Sequence, residues 1–212
     1  MTSIAPARRT QCEQCVGPLP LMARADALYC GATCRKRASR ARLAAERARV
    51  EGEQVAHVPV ELRSRARWVR YSSKKVPLRI DGRFASVTDP SSWSDFGAAR
   101  AATCGEGAGF VLTASDVITV VDLDHAVECG RVLPWAQAIV DRLPATYMER
   151  GRSGTGLHLW FRGSVPAGRR VRRGEVHVEV YSDRRYIIIG DRVPGTPLEL
   201  ADLPPDSWEA LT

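Results

Sequence analysis

Residues 117–124 read VITVVDLD, and this stretch decides how the rest of the chain is read. Its largely apolar body with β-branched residues predicts a buried strand over Val117 to Leu123. Side chains along a strand alternate between faces, so Asp122 and Asp124 fall on one side of the strand end. Two carboxylates side by side at the end of a buried strand repel unless a positive group holds them. A hard divalent cation such as Mg²⁺ or Mn²⁺ is the usual partner of an oxygen-only pair. A DxD is short and also occurs as two solvated aspartates, so its meaning depends on what else the chain brings to it.

Downstream, residues 149–161 read ERGRSGTGLHLWF. Gly151, Gly154 and Gly156 predict a tight turn, with the hydroxyls of Ser153 and Thr155 inside it and backbone N–H groups open to an anion. The strand that follows puts Leu157, Leu159 and Phe161 on a core face and Gly156, His158 and Trp160 on the other. An imidazole beside such a turn either donates hydrogen bonds to a triphosphate or ligates metal.

Residues 174–181, GEVHVEVY, alternate strictly: Val176, Val178 and Val180 line one face, Glu175, His177, Glu179 and Tyr181 the other. Glu175 and His177 read as the wet side of a half-buried strand. SDRRYIIIG (182–190) then predicts a short turn carrying Arg184 and Arg185 into an apolar strand returning beside the first. Arg185, and Lys75 further upstream, are candidate phosphate contacts.

Further strands are expected at Arg67–Tyr71, Ala108–Thr113 and Tyr186–Ile189. Helices are expected at Ser91–Thr103, capped by Ser91 or Ser92, and at Leu133–Arg142 with Pro134 in its first turn. The pattern is α+β or mixed α/β, without internal repeats.

The amino-terminal end differs in kind. Cys12, Cys15, Cys30 and Cys34 are spaced C-x2-C-x14-C-x3-C, which resembles treble-clef or ribbon-type zinc knuckles; four thiolates close a tetrahedral Zn²⁺ shell, so the zinc would be structural. Cys104 and Cys129 stand alone and are assigned no role. RKRASRARLAAERARVEGE (35–53) predicts a basic helix with a thin apolar stripe of Ala38, Leu43, Ala44, Ala48 and Val50. All five tryptophans, Trp68, Trp93, Trp135, Trp160 and Trp208, lie beyond residue 56. The expected organisation is therefore a four-cysteine zinc-binding module (1–34), a basic helix or linker (35–56) and one main domain (57–212).

The net charge is +7, and residues 1–56 carry ten Arg and Lys against five Asp and Glu. A basic terminal module favours polyanions through counterion release, nucleic acid first among them. No run approaches the ~20 apolar residues of a membrane span, nor does the start read as a secretory signal, so a cytoplasmic protein with no membrane partner is expected.

Taken in order, DLD, SGTGLH and VEVY followed by RRY resemble the three motifs of archaeo-eukaryotic primases, most closely the bifunctional primase-polymerase domains of phages and plasmids. KKVP (74–77), TDPSSW (88–93), GAGFVLT (107–113) and Glu149 are similar to that family's other recurring pieces. The resemblance covers roughly residues 66–195 by motif placement. It implies an α/β unit and an RNA-recognition-motif-like unit enclosing a cleft in which Asp122, Asp124 and Glu179 converge. By the same carry-over, these three hold two catalytic Mg²⁺ or Mn²⁺ ions, Glu179 standing where the family often has Asp. His158 and Ser153, with Gly154 and Gly156, would grip the nucleoside triphosphate. The function implied is a DNA primase/polymerase that makes or extends primers on single-stranded DNA template, with a separate replicative helicase as partner. A metal-dependent nuclease or phosphohydrolase using the same acids, and a non-catalytic zinc-finger DNA-binding protein with a vestigial primase-like domain, are the alternatives.

Overall fold

The computed structural model describes residues 9–205 and residue 207, with the backbone alone for residues 44 and 46–56. The chain divides into two compact units, Met1–Ala56 and His57–Thr212. In the first, the backbone folds back at Cys12, whose N–H donates to Gly17 O (2.8 Å) and whose carbonyl accepts from Val16 (2.9 Å). A 25-residue helix, α1 (Ala32–Ala56), follows and takes Cys34 into its first turn. The side chains of the expected stripe positions Ala44, Ala48 and Val50, and the whole of Trp208, lie outside the described residues.

The second unit begins with α2 (Val60–Arg63), β1 (Trp68–Tyr71), β2 (Pro77–Leu78), α3 (Phe96–Ala101), β3 (Gly107–Leu112) and β4 (Ile118–Leu123). A small hairpin of β5 (Val127–Glu128) and β6 (Arg131–Val132) leads to α4 (Pro134–Val140). The remainder is β7 (Met148–Arg150), β8 (Leu157–Arg162), β9 (Arg169–Arg173), β10 (Val176–Tyr181), β11 (Arg185–Ile188), β12 (Asp191–Arg192) and β13 (Ala201–Asp202). Four strands form one sheet in the order β11-β3-β1-β2. Seven form the other, β12-β7-β8-β4-β10-β9, with β13 parallel to β8. The architecture is α+β.

Alternation explains the larger sheet. Val121 and Leu123 on β4, Leu157 and Leu159 on β8, and Val178 and Val180 on β10 all enter one apolar cluster with Ala136 and Ile139 of α4. Each such aliphatic side chain contributes about 1.5–3 kcal/mol on full burial. The opposite face meets the smaller sheet through a ladder of rings. Trp160 packs edge-on to Phe110 (5.9 Å between centroids), Phe110 on Trp68 (5.3 Å) and Trp68 on Phe96 (4.6 Å). The face carrying His158 and Trp160 is thus covered as well, and Trp160 is fully buried.

Two sequence expectations are corrected. The helix predicted over Ser91–Thr103 is split, because two aspartates each begin their own turn. Asp89 accepts from Ser91 N–H (3.0 Å) to start a short 3-10 turn, Trp93 is extended, and Asp95 then caps α3 by accepting from Ala98 N–H (2.8 Å). The strand after Arg184–Arg185 does not return beside β10. Both edges of β10 are taken, by β4 and β9, so β11 crosses over and pairs with β3.

The chain then crosses back to β12, and Gly190 makes that passage. A Cβ there would stand 1.8 Å from the Arg150 carbonyl oxygen, which is backbone and cannot move aside cheaply. Gly190→Ala should therefore destabilise the protein by at least about 1–3 kcal/mol, read as a lower urea midpoint at unchanged m-value.

Candidate active site

Antiparallel pairing places directly opposed residues on the same face of a sheet. Across the larger sheet the register opposes Arg192 to Glu149, Glu149 to His158, His158 to Asp122, Asp122 to Glu179, and Glu179 to Arg170. Six ionisable residues from six successive strands thus form one row on the face turned away from α4. Asp122, His158 and Glu179, far apart in the chain, are immediate neighbours. Asp124 lies just past the end of β4, where its N–H donates to His177 O (3.1 Å).

The side chains are held firmly. Glu149 is fully buried; one carboxylate oxygen accepts from Tyr147 OH (3.0 Å) and the other lies 3.0 Å from His158 Nδ1. His158 Nε2 is 3.7 Å from Asp122 Oδ1. Burial opposes the imidazolium, but the Glu149 hydrogen bond and the charges of Glu149, Asp122 and Asp124 outweigh it and raise the His158 pKa. Glu179, nearly buried, is gripped by the Arg170 guanidinium and by Tyr181 OH (2.8 Å).

Asp122 is the exception. Its Oδ1 is shut off from solvent and accepts no hydrogen bond among the described residues. Burial, first of all, raises its pKa; His158 and Lys75 pull it down, Asp124 and Glu179 push it up, and it settles at about 6. Acids and bases alternate along the row except where Asp122 adjoins Glu179. The unbonded buried oxygen of Asp122, opposite Glu179 in register, is a hard-oxygen ligand of the kind a divalent cation takes.

The other residues expected from sequence are arranged around this row. Gly156 leads into β8 close against the end of β4, where a Cβ on it would lie 3.3 Å from Leu123 O. A Cβ on Gly151 would lie 3.3 Å from His158 Nε2, so the missing side chain keeps that nitrogen accessible. Gly154 takes a left-handed φ of 77° at the turn's apex, and Ser153 Oγ pairs with Thr155 Oγ1 (2.9 Å). Among the described residues, Ser153 and Gly154 make no hydrogen bond to the row itself. Lys75 sits at φ 57° in the β1–β2 turn, its carbonyl accepting from Tyr186 OH. The Arg185 guanidinium stacks over the Tyr181 ring at 4.7 Å, and Tyr181 is the residue whose hydroxyl holds Glu179.

Sequence reasoning gives Glu149 no role of its own. Its strand is only three residues long, and the signal that marks it, a fully buried glutamate, exists only in three dimensions.

In the first unit, the sulfurs of Cys12, Cys15, Cys30 and Cys34 lie within 4.8 Å of one another. Burial opposes ionisation of Cys12, yet backbone N–H groups of Cys30, Cys15 and Gln14 turned toward its sulfur bring it down to about 6. Cys34 is pushed up to about 12, first by its hydrogen bond with Cys30 and then by burial. Four thiols this close together could hold a thiophilic cation.

The chain matches the family model described as bifunctional DNA primase/polymerase, N-terminal, over residues 41–206. It belongs to that family. The DNA primase-polymerase of Nitratiruptor phage NrS-1 is 33% identical over 136 residues, covering 59% of this chain and 19% of the phage protein. The chain thus spans about a fifth of that relative's length. The matched family segment contains the whole acidic row and excludes the four cysteines. No helix among the described residues is long and apolar enough to cross a membrane.

The raised pKa of Asp122 has a testable sign. Its folded value of about 6 exceeds the ordinary carboxylate value of 3.8, so the folded state holds a proton that the unfolded chain releases. Stability therefore falls as pH rises from about 4 to 6 and stays lower above it. Without added divalent cations, Asp122→Asn should be more stable than the parent by up to about 3 kcal/mol at about pH 7–8, with the advantage gone at about pH 4. Paired urea titrations at the two pH values measure it.

Proposed function

We propose that this chain is a metal-dependent nucleotidyltransferase that makes or extends primers on a single-stranded DNA template. The observation that carries the reading is the row in which Asp122, with its unbonded buried oxygen, stands between His158 and Glu179. Family membership supplies the reaction class. Activation of water by the same acids, as in a nuclease, has no specific feature in its favour.

Asp122, Asp124 and Glu179 would hold Mg²⁺ or Mn²⁺, which when bound neutralises charge at the α-phosphate and lowers the pKa of the attacking hydroxyl. The chain's own residues position the reactants. Tyr181 and Arg170 hold the Glu179 carboxylate in place on the sheet face that Asp122 shares, which limits the torsional search before reaction. Glu149 takes the Nδ1 side of His158 and leaves Nε2 to donate to the triphosphate across the gap at Gly151. Glu149 is thus a positioning residue. Ser153 and the backbone N–H group at Gly156 would contact the same phosphates, with Gly154, whose own N–H donates to Gly151 O (2.8 Å), shaping the turn and Lys75 adding positive field. Arg185, stacked on Tyr181, is assigned to phosphate on the other flank. The two sheets that meet at the Trp160–Phe110 contact are assigned as the walls of the family's cleft, the larger one as its RNA-recognition-motif-like unit.

In residues 1–34, the four thiols would bind one structural Zn²⁺, and residues 35–56 would present arginines to the template. The catalytic domain is assigned to residues 57–212, and unwinding to a separate helicase.

Purified protein incubated with primed single-stranded DNA, Mn²⁺ or Mg²⁺ and labelled nucleotides should extend the primer. The Asp122→Ala, Asp124→Ala double variant should lose at least ~100-fold of that rate. Equal incorporation by both proteins excludes the site. Glu149→Gln keeps the side chain's shape but removes its charge, and should raise the nucleotide KM about tenfold while the primer KM holds. An altered primer KM alone would argue against the role given to Glu149.

Metal analysis should find one zinc per chain, lost in Cys30→Ser. Because every tryptophan lies beyond residue 56, the near-ultraviolet tryptophan signal should survive that loss while helical signal declines. A zinc content unaffected by Cys30→Ser would refute the assignment.

A further inference from the structure

At the outer edge of the larger sheet, β9 reads RRVRR, four arginines in five residues without an acid among them. It pairs only with β10, so among the described residues its other edge is unpaired. Register decides where the side chains go. Val171 opposes Val178 on the core-facing side, whereas Arg170 and Arg172 oppose Glu179 and His177 on the face of the acidic row. The side chains of Arg170 and Arg172 are 53% and 57% exposed. Arg170 turns part of its guanidinium to Glu179, but a guanidinium carries five N–H donors in a planar fork and retains others for a second anion. Arg172 approaches Glu179 no closer than 3.9 Å, and among the described residues it has no nearer acidic partner.

Charged residues on an edge strand commonly serve only to block pairing with another sheet. Blocking requires charge of either sign, on either face. What sets β9 apart is a single sign and its position at one end of the row, across Glu179 and Asp122 from His158 and the glycine turn.

Phosphoryl transfer adds a geometric demand: the attacking hydroxyl and the departing pyrophosphate lie on opposite sides of the α-phosphorus. If the triphosphate occupies the His158 end, the strand being extended must approach from the Glu179 end. His158 and Arg170 are three strand spacings apart, about 14 Å. The edge beyond Glu179 is therefore where the polymer's last phosphodiesters run, and β9 is the cationic element there.

We propose that β9 is a phosphate track for the polynucleotide, with Arg172 and Arg170 contacting the backbone of the strand being extended and not the incoming nucleotide. This deepens the function proposed above and takes from it the placement of the triphosphate.

The test measures binding of a fluorescent primed single-stranded DNA by anisotropy between roughly 50 and 300 mM KCl, without nucleotide or added divalent cation. Arg172→Gln should weaken binding several-fold and reduce the log K against log salt slope by about 0.9, the value for one lost phosphate contact on the paired primer strand. Arg172→Glu should weaken it further, and Arg172→Lys should restore the slope. In steady-state extension, Arg172→Gln should raise the KM for primed DNA with the nucleotide KM unchanged. Unchanged affinity and slope in the Gln and Glu variants overturn the proposal, including the case in which those variants merely self-associate as an unprotected edge would. A raised nucleotide KM with constant primer KM also overturns it, moving β9 to the triphosphate. The binding arm needs no catalysis: a parent protein that incorporates no nucleotide while Arg172→Gln still loses slope retires the polymerase reading and leaves the track standing.

Discussion

A carboxylate oxygen shut off from water and left without a hydrogen-bond donor is costly, and the larger sheet is built so that this cost falls at Asp122 Oδ1. Neighbouring strands could have supplied a donor at that position; they supply instead an imidazole edge at 3.7 Å on one side and a second carboxylate on the other. The rest of the unit keeps that arrangement from relaxing. Val121, Leu123, Val178 and Val180 tie the same strands to α4 from the opposite face. A one-residue slip of β4 or β10 would turn acids into the aliphatic cluster and valines toward the row, so the hydrophobic face fixes the register on which the acids depend.

Much of this is legible in the one-dimensional pattern, because period-2 alternation reports which face a residue occupies. Asp122, His158 and Glu179 each stand on the face opposite the aliphatic residues, as their alternation predicts. Alternation does not report which strands are neighbours. The order β8-β4-β10, which converts three separate residues into one cluster, is reached from sequence only through resemblance to a family. The turn after β10 shows the same limit: RRYIIIG has the composition of a hairpin's second arm, but β10 has no free edge, and Gly109 on β3 leaves room for Tyr186 to lie against it instead. Propensity also misleads near Ser91, where two aspartates outcompete the serines as caps.

Glu149 and β9 escape the sequence for opposite reasons. A glutamate among ERGR is most economically read as exposed, and only the packing of Tyr147 and His158 around it reveals a buried acid. RRVRR lacks the alternation of a half-buried strand because both of its faces are largely wet; it is held as a strand by β10, not by its own composition.

The signs along the row carry the argument one step further. Reading from Arg192 through Glu149, His158, Asp122 and Glu179 to Arg170, each acid faces a base, save where Asp122 opposes Glu179. Alternation of this kind satisfies charge locally, since every group has its counterion at one strand spacing. The single break lies at an unbonded oxygen whose pKa the charges of Asp124 and Glu179 raise, so negative charge accumulates where the pattern calls for a positive one. Substituting a lysine or arginine for a neighbour would have repaired the break with a fixed charge, at the expense of an exchangeable one. On the function proposed above, a cation taken up from solution would fill that position, with the basic residues His158 and Arg170 on either side of the break.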